Sequence, residues 1–267
     1  MSEAEASAAP PHRARSLVAD SATIVFSILL AFAIDAAWDA RREREEETRF
    51  LRAIDAEISL NLGRIDDARK FRAWKREAAL ELLALSVQPD VEASRVDAPI
   101  ADLTWWDVGR WQTSAIDTLL TGGKLALVED QTLRQELVSL PRTSGVLLQL
   151  ERQDETTFRA TLMPYLIRES SLPQITNSFG VYPPGFYPDP PADEATQAPY
   201  GNVPVAVTRD HRELLRRADF LGVVTQTYWD QADVLFHLDI TERNLREVQA
   251  AIRAELGEAA SATETRP

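Results

Sequence analysis

The sequence predicts an all-α protein: an N-terminal transmembrane helix continuing into a long helix of an antiparallel helical bundle. Three observations predict it. An apolar run, SATIVFSILLAFAIDAAW, lies near the start, with no charge from Ala22 to Ile34. Only 10 glycines and 7% aromatics accompany abundant Ala, Leu, Glu and Arg, a composition that favours helix. Apolar residues then recur at helical spacing through Leu51, Ile54, Ile58, Leu62 and Ile65, and again through Leu221, Val224, Tyr228, Leu235, Leu238, Leu245 and Ile252.

Taken in order, residues 1–16 are small, polar and charged and read as a disordered tail, as do residues 257–267. The uncharged core of the apolar run is about 20 Å long as a helix, too short to cross hydrocarbon. Extended over 17–38 it reaches about 33 Å, which is enough. Asp20 and Asp35 then fall near the two interfaces, where an acid costs less than at a helix centre, and Trp38 suits an interfacial belt.

At 100° per residue, Asp20, Ile24, Ser27, Ala31, Asp35 and Trp38 share one face, while Val25, Phe26, Leu29, Leu30 and Phe32 lie away from it. Ser27 and Ala31 form a small-xxx-small pair that lets helices approach. One reading is a membrane-helix packing face, for another copy or another membrane subunit, with Asp35 paired in the assembly. The other is that Asp35 ends the span at headgroup level. Two further readings compete with an anchor: a cleaved signal peptide, from Ala31-Phe32-Ala33, and a buried soluble helix.

Sidedness is open. Arg41, Arg42, Arg44, Arg49 and Arg52 follow the span against Arg13 and Arg15 before it, which favours a cytoplasmic body. A short tail containing His12-Arg13-Ala14-Arg15 reads as an uncleaved signal anchor in a bacterial inner membrane and favours a periplasmic one, since long domains translocate regardless of flank charge.

The formal net charge of −13 argues against nucleic acid or anionic lipid headgroups as the main partner. The chain has no cysteine, hence no disulfide, thiolate site or cysteine nucleophile.

Residues 39–256 read as the helical bundle. With no proline between the span and Pro89, one helix is expected from about residue 17 to 87, its charge-dense start a solvated stalk. Residues 88–102, with Pro89, Pro99 and several acids, read as loop. Trp105, Trp106 and Trp111 lead into a short helix capped by Gly122-Gly123. Asp130 is the expected N-cap of the next helix, which meets Pro141 and continues through Leu147, Leu150, Phe158 and Leu162 to Leu172-Pro173.

A Pro/aromatic loop follows at 173–207. It is either a recognition loop using Phe179, Tyr182, Phe186 and Tyr187, or a crossover packing those rings over the bundle end. The last helix runs from about Asp210 to Gly257. Gln231, Glu242 and Gln249 fall on its seam, where polar residues fix register or a partner. Gln249 reads as exposed at a frayed end.

Neither His211, beside a helix start, nor His237, four residues after Asp233, sits in the paired Glu-x-x-His pattern of a di-metal bundle. No metal ligand set, cofactor or catalytic residue is expected. Thr121-Gly122-Gly123-Lys124 fails as a phosphate loop, because Leu125 follows where Ser or Thr is needed and the outer glycine is missing.

The order of three segments, VFSILLAFAIDAAWDARRE, FLRAIDAEISLNL and TSAIDTLLTGGKLALVEDQTLRQEL, resembles a bacterial family of short, single-span, membrane-anchored helical proteins that carries no assigned activity. Its span ends in a polar residue and a tryptophan. Its Leu…Glu…Asn helix is matched by Leu51, Glu57 and Asn61. Its small-Gly-x-Leu turn is matched by Gly122, Gly123, Leu125 and Leu127. The resemblance covers about residues 20–140 and implies a membrane location and a helical fold.

The functional expectation is a non-enzymatic accessory or scaffold subunit of a membrane complex, with the lipid bilayer and either a second copy or another membrane subunit as partners. The alternative is a sensor or ligand-binding bundle, with an apolar pocket near Trp105–Trp111 and the Phe179–Tyr187 loop.

Overall fold

The computed structural model describes residues 11–106, 109, 111–178 and 204–257, with side chains from Thr23 onward. The described residues are helical, with no strand among them. The chain divides into two compact units, Met1–Phe50 and Leu51–Pro267. Residues Phe179, Tyr182, Phe186 and Tyr187 of the aromatic loop lie outside the described residues.

Helix α1 runs Pro11–Ser86 and belongs to both units. It begins inside the stretch expected to be a tail, at a proline, whose missing N–H costs nothing in a first helical turn. It stops where expected. Gln88 N–H bonds back to the Leu85 carbonyl at 3.1 Å, and Pro89 follows.

In the first unit, every side chain from Thr23 to Glu45 is exposed. The exposed residues include Ile24, Val25, Phe26, Leu29, Leu30, Phe32 and Trp38. This helix is long and apolar enough to cross a membrane, with none of its apolar window buried.

The second unit starts with the remainder of α1, which buries Leu51, Ile54, Ile58, Ile65, Phe71, Ala78, Ala79, Leu82 and Leu85. The expected loop over 88–102 is corrected: α2 spans Ser94–Leu103. Pro99 lies inside α2, and it is buried together with Val96, Ile100, Ala101 and Leu103. Burial of that apolar face outweighs the one backbone hydrogen bond the proline removes.

Helix α3 (Ser114–Thr121) ends at Gly122-Gly123. Gly123 takes φ +67°, the left-handed region open to glycine, and an added Cβ at Gly122 would lie 2.6 Å from the Thr118 carbonyl oxygen. A 3-10 turn (Lys124–Leu127) leads to α4 (Gln131–Thr157). Asp130 is its N-cap as expected, its carboxylate accepting from Leu133 N–H at 2.7 Å. Pro141 lies inside α4 and does not end it.

After α4 comes a π-turn (Phe158–Leu162), then α5 (Met163–Glu169) and α6 (Leu172–Thr176). The last helix starts later than expected. Residues His211–Arg216 form a 3-10 turn, Arg217 turns extended (φ −97°, ψ 122°), and α7 spans Ala218–Glu255. One apolar cluster joins the end of α1, α2, α5, α6 and the start of α7 through Leu82, Ile100, Leu166, Ile175, Leu215 and Phe220.

Polar pairs connect α1 and α7 within this unit. Arg253 Nε donates to Asp55 at 2.9 Å, Gln249 Nε2 to the Ser59 hydroxyl at 2.8 Å, and Arg69 to Glu242. Gln249 is therefore buried against α1 and is not a frayed, exposed residue. Its amide is satisfied inside the fold, which is what permits the burial.

Candidate functional site

The apolar face of Thr23–Trp38 comes first. Ile24, Ser27, Ala31, Asp35 and Trp38 are all exposed in the first unit, Phe26 at 66% and Trp38 at 69%. Ser27 donates its hydroxyl to the Thr23 carbonyl at 2.8 Å, so its own helix satisfies it and it presents only small bulk outward. Nothing among the described residues hydrogen-bonds or ion-pairs with Asp35. Asp20 lies in α1, where side chains are not described.

The second unit contrasts with this, since several of its buried polar side chains find partners within it. Glu57 and Asn61, one helical turn apart on α1, grip the start of α3. The Asn61 amide donates to the Gln112 carbonyl at 2.7 Å and accepts from Gln112 N–H at 3.0 Å. Glu57 accepts from Ala115 N–H at 2.8 Å and from the Ser114 hydroxyl at 3.2 Å. A carboxylate there satisfies orphan N–H donors of a helix start and complements its dipole. The Glu…Asn and Gly-Gly motifs thus hold the two ends of α3.

An ionic cluster occupies the interior where α1, α4 and α7 meet. Arg72, Lys75, Glu151, Asp154 and Gln231 are all at most 2% exposed. Arg72 pairs with Asp154 and donates to the Gln231 amide oxygen at 3.2 Å. Gln231 Nε2 in turn donates to Asp154 at 2.7 Å. Lys75 Nζ lies 3.9 Å from Asp154 and 5.3 Å above the Phe158 ring centroid. Trp111 Nε1 donates to Glu151 at 3.2 Å, and a Cβ on Gly109 would come within 2.7 Å of that carboxylate, so a side chain there would force Glu151 or Trp111 to shift.

Burial pushes the Asp154 carboxyl up, but Lys75 and Arg72 and the hydrogen bonds from Arg72 and Gln231 outweigh it and hold it below the usual range. Burial lowers the Lys75 ammonium, opposed only in part by Asp154. Burial also raises neighbouring Asp230, against hydrogen bonds from Gln226 and Thr157. Two cations thus face Glu151 and Asp154 in a closed interior, with the π-turn directly after it.

A second buried pair looks catalytic and is not built that way. His211 Nδ1 lies 2.6 Å from Asp97, and Ser171 is adjacent. It is the Ser171 backbone N–H, however, that donates to His211 Nε2, at 3.0 Å, while the Ser171 hydroxyl donates to the Val207 carbonyl at 2.7 Å. The imidazole nitrogen that would serve as base is already accepting from the Ser171 N–H, and the Ser171 hydroxyl is turned to the Val207 carbonyl. Burial pushes Asp97 up, but hydrogen bonds from His211 and Gln174 hold it below the ordinary range. The group ties α2, α6 and the segment before α7 together.

Of the other sequence candidates, Gln231 sits in the ionic cluster, and Glu242 binds Arg69 and Arg246. His237 Nδ1 meets the Asp233 carbonyl at 3.0 Å rather than its carboxylate. Trp106 stacks on Phe158 at 6.5 Å with Arg159 over its face. A surface recess of about 430 Å3 lies between residues 85–92 and 210–216. In it Arg212 is tied to both oxygens of Asp210 and to the Val91 carbonyl, and Arg212 holds the Asp210 carboxyl at about 2. No group of His, Asp or Glu that could hold a metal ion occurs among the described residues.

Arg72, Lys75, Glu151, Asp154 and the Asp97–His211 pair were missed by sequence reasoning. The available signal was charge at buried helical positions: Glu151 and Asp154 fall between Leu147 and Phe158 on one face.

These features define an all-helical protein with one helix long and apolar enough to cross a membrane. No family model, curated protein or solved structure matches the chain, so its residues alone carry the functional reading.

Proposed function

We propose that this chain is a single-pass, membrane-anchored, non-enzymatic accessory or scaffold subunit of a membrane protein complex, with an antiparallel helical bundle as its body. The observation that carries the reading is the unburied apolar surface over Thr23–Trp38. In water, a contiguous exposed surface of Phe26, Leu29, Leu30, Phe32 and Trp38 is costly, whereas in a bilayer it is the required solvent-facing surface. The order of partners supports the bundle: Arg253 with Asp55, Gln249 with Ser59, Glu242 with Arg69 and Gln231 with Arg72. The α1 index rises as the α7 index falls, as in antiparallel helices.

Arg72, Asp154 and Gln231 are engaged with one another, and Glu57 and Asn61 with the start of α3, which favours a structural role for them over catalysis. Membership of the single-span bacterial family belongs to the same proposal, supported by the joint that Glu57, Asn61 and Gly122-Gly123 make around α3. The bacterial inner membrane is the proposed location, with the body periplasmic. The sensor reading has less support, because Trp106 and Trp111 are occupied by Phe158, Arg159 and Glu151.

The test is membrane fractionation followed by size analysis of the full-length protein in mild detergent. Expected are resistance to alkaline carbonate and a complex larger than one chain, reduced in size by Asp35→Leu without loss of helicity. Release by carbonate overturns the anchor. A single-chain particle indifferent to Asp35→Leu overturns the subunit role.

A further inference from the structure

The face bearing Asp35 has a chemistry that selects its occupant. Asp35 is exposed, and no described residue pairs with it, although Arg41 lies less than two turns further along the helix. Arg41 is engaged elsewhere, with Glu45 at 3.0 Å. Beneath Asp35 on the same face lie Ala31 and Ser27, the latter's hydroxyl turned back to Thr23. Ile28 and Ile34, both exposed, stand to either side of that strip at 100° per residue. Small residues under an unpaired acid give a close-approach surface with a negative charge at one end.

A second copy does not complement that surface. All copies of a single-span protein insert with the same orientation, so two of them pack with parallel helices. A symmetric pair through this face brings Asp35 against Asp35 at the same depth. Two carboxylates facing one another repel, and neither supplies the cation that would pair with the other. A lipid headgroup meets the charge but gives no reason for the small residues aligned below it.

Resting on the membrane-anchored reading above, we propose that the Asp35 face docks against the span of a different membrane protein, one that carries a lysine or arginine within a turn of its hydrocarbon edge. The cation pairs with Asp35, and the partner's helix lies in the shallow strip over Ala31 and Ser27. Long basic side chains reach the interface readily from such a depth.

The experiment places a photo-crosslinking amino acid at Ala31 of the full-length protein in native membranes and identifies the adduct by mass spectrometry. Carbonate extraction is run in parallel. Loss of the protein from the membrane pellet would sink the anchor reading itself, whereas the adduct's identity bears on the inference alone. The expected adduct is a different membrane protein with Lys or Arg at the matching depth, reduced at least tenfold by Asp35→Leu and Asp35→Asn. Combining Asp35→Lys with an acidic replacement of the partner's basic residue should restore it. An adduct of the chain with itself, a partner without a basic residue at that depth, an adduct indifferent to Asp35→Leu, or lipid adducts alone would each overturn the proposal.

Discussion

The two units invert one another. In Thr23–Trp38 the large apolar side chains face outward, and the one acid of that stretch is unpaired by any described residue. In the second unit Arg72, Lys75, Glu151 and Asp154 are inside, each within reach of an opposite charge. The difference teaches that burial alone does not rank the two. An exposed apolar surface requires a partner outside the chain, whereas a buried charge requires one inside it. The interior charges have opposite charges within reach, and Asp35 has none among the described residues.

The sharpest way to break this comparison is to remove one side of the interior pair. Asp154→Ala leaves two buried cations, Arg72 and Lys75, short of one carboxylate, with Glu151 still 4.0 Å from Arg72, and should lower stability by about 3–5 kcal/mol, read by denaturant unfolding of the full chain in detergent. Because Asp154 is held below its ordinary range in the fold, its stabilising contribution is full above about pH 4 and is lost as pH falls through the folded value. The variant's deficit should shrink in that acidic window. A deficit below about 1 kcal/mol at pH 7 would mean the cluster is solvated rather than closed.

Next in size, Leu29→Arg puts a charge in the middle of the apolar run. It should cost about 2.5–3.5 kcal/mol of insertion and shift the protein from the carbonate-resistant to the soluble or aggregated fraction. An unchanged pellet would count against a spanning segment. Asn61→Ala removes the paired hydrogen bonds to Gln112 and should cost about 1–2 kcal/mol, as should Glu57→Ala at the α3 start. Gly123→Ala, at φ +67°, should cost about 1 kcal/mol.

The smallest effect has the opposite sign. Burial, with Glu81 nearby, raises the Asp102 carboxyl to about 7. The folded state therefore keeps a proton that the unfolded chain has released, and stability falls as pH rises between the unfolded and folded values. Asp102→Asn should be neutral near pH 4 and stabilising by about 1 kcal/mol at pH 8, after discount for partial solvation. A gain independent of pH would remove Asp102's charge as its cause.

What the sequence made legible was local. Asp130 as an N-cap, Gly122-Gly123 as a helix stop and Pro89 beyond the end of α1 depend on groups a few residues apart, and each lies where expected. Helix α2 was not legible because Pro89 and Pro99 read as breakers, while the burial of Val96, Ile100 and Leu103 that overrides them is a tertiary effect. The interior charges were hidden for the same reason. Arg72 and Asp154 are 82 residues apart, Asp97 and His211 114 apart, and Ser59 and Gln249 190 apart. No local pattern distinguishes such a charge from a solvated one until its partner is folded against it. The apolar face over Thr23–Trp38 was legible as a pattern because its residues lie within a few turns of one helix.

The π-turn at Phe158–Leu162 sets the phase of everything after it. Met163 N–H reaches back to Phe158, one residue further than in an α-helix, so the chain carries one more residue per turn there. The wider turn absorbs that extra residue, so α5 keeps the phase in which Tyr165 stacks on Phe220 at 5.9 Å and donates to Asp219 at 3.0 Å. Excising Ala160 alone would close the turn to ordinary α winding with Tyr165 still on its ring, whereas excising a residue from the regular turns of α4 would swing α5 by about 100°. The wide turn is thus slack in one helical rod, taking up a residue without putting its two ends out of step.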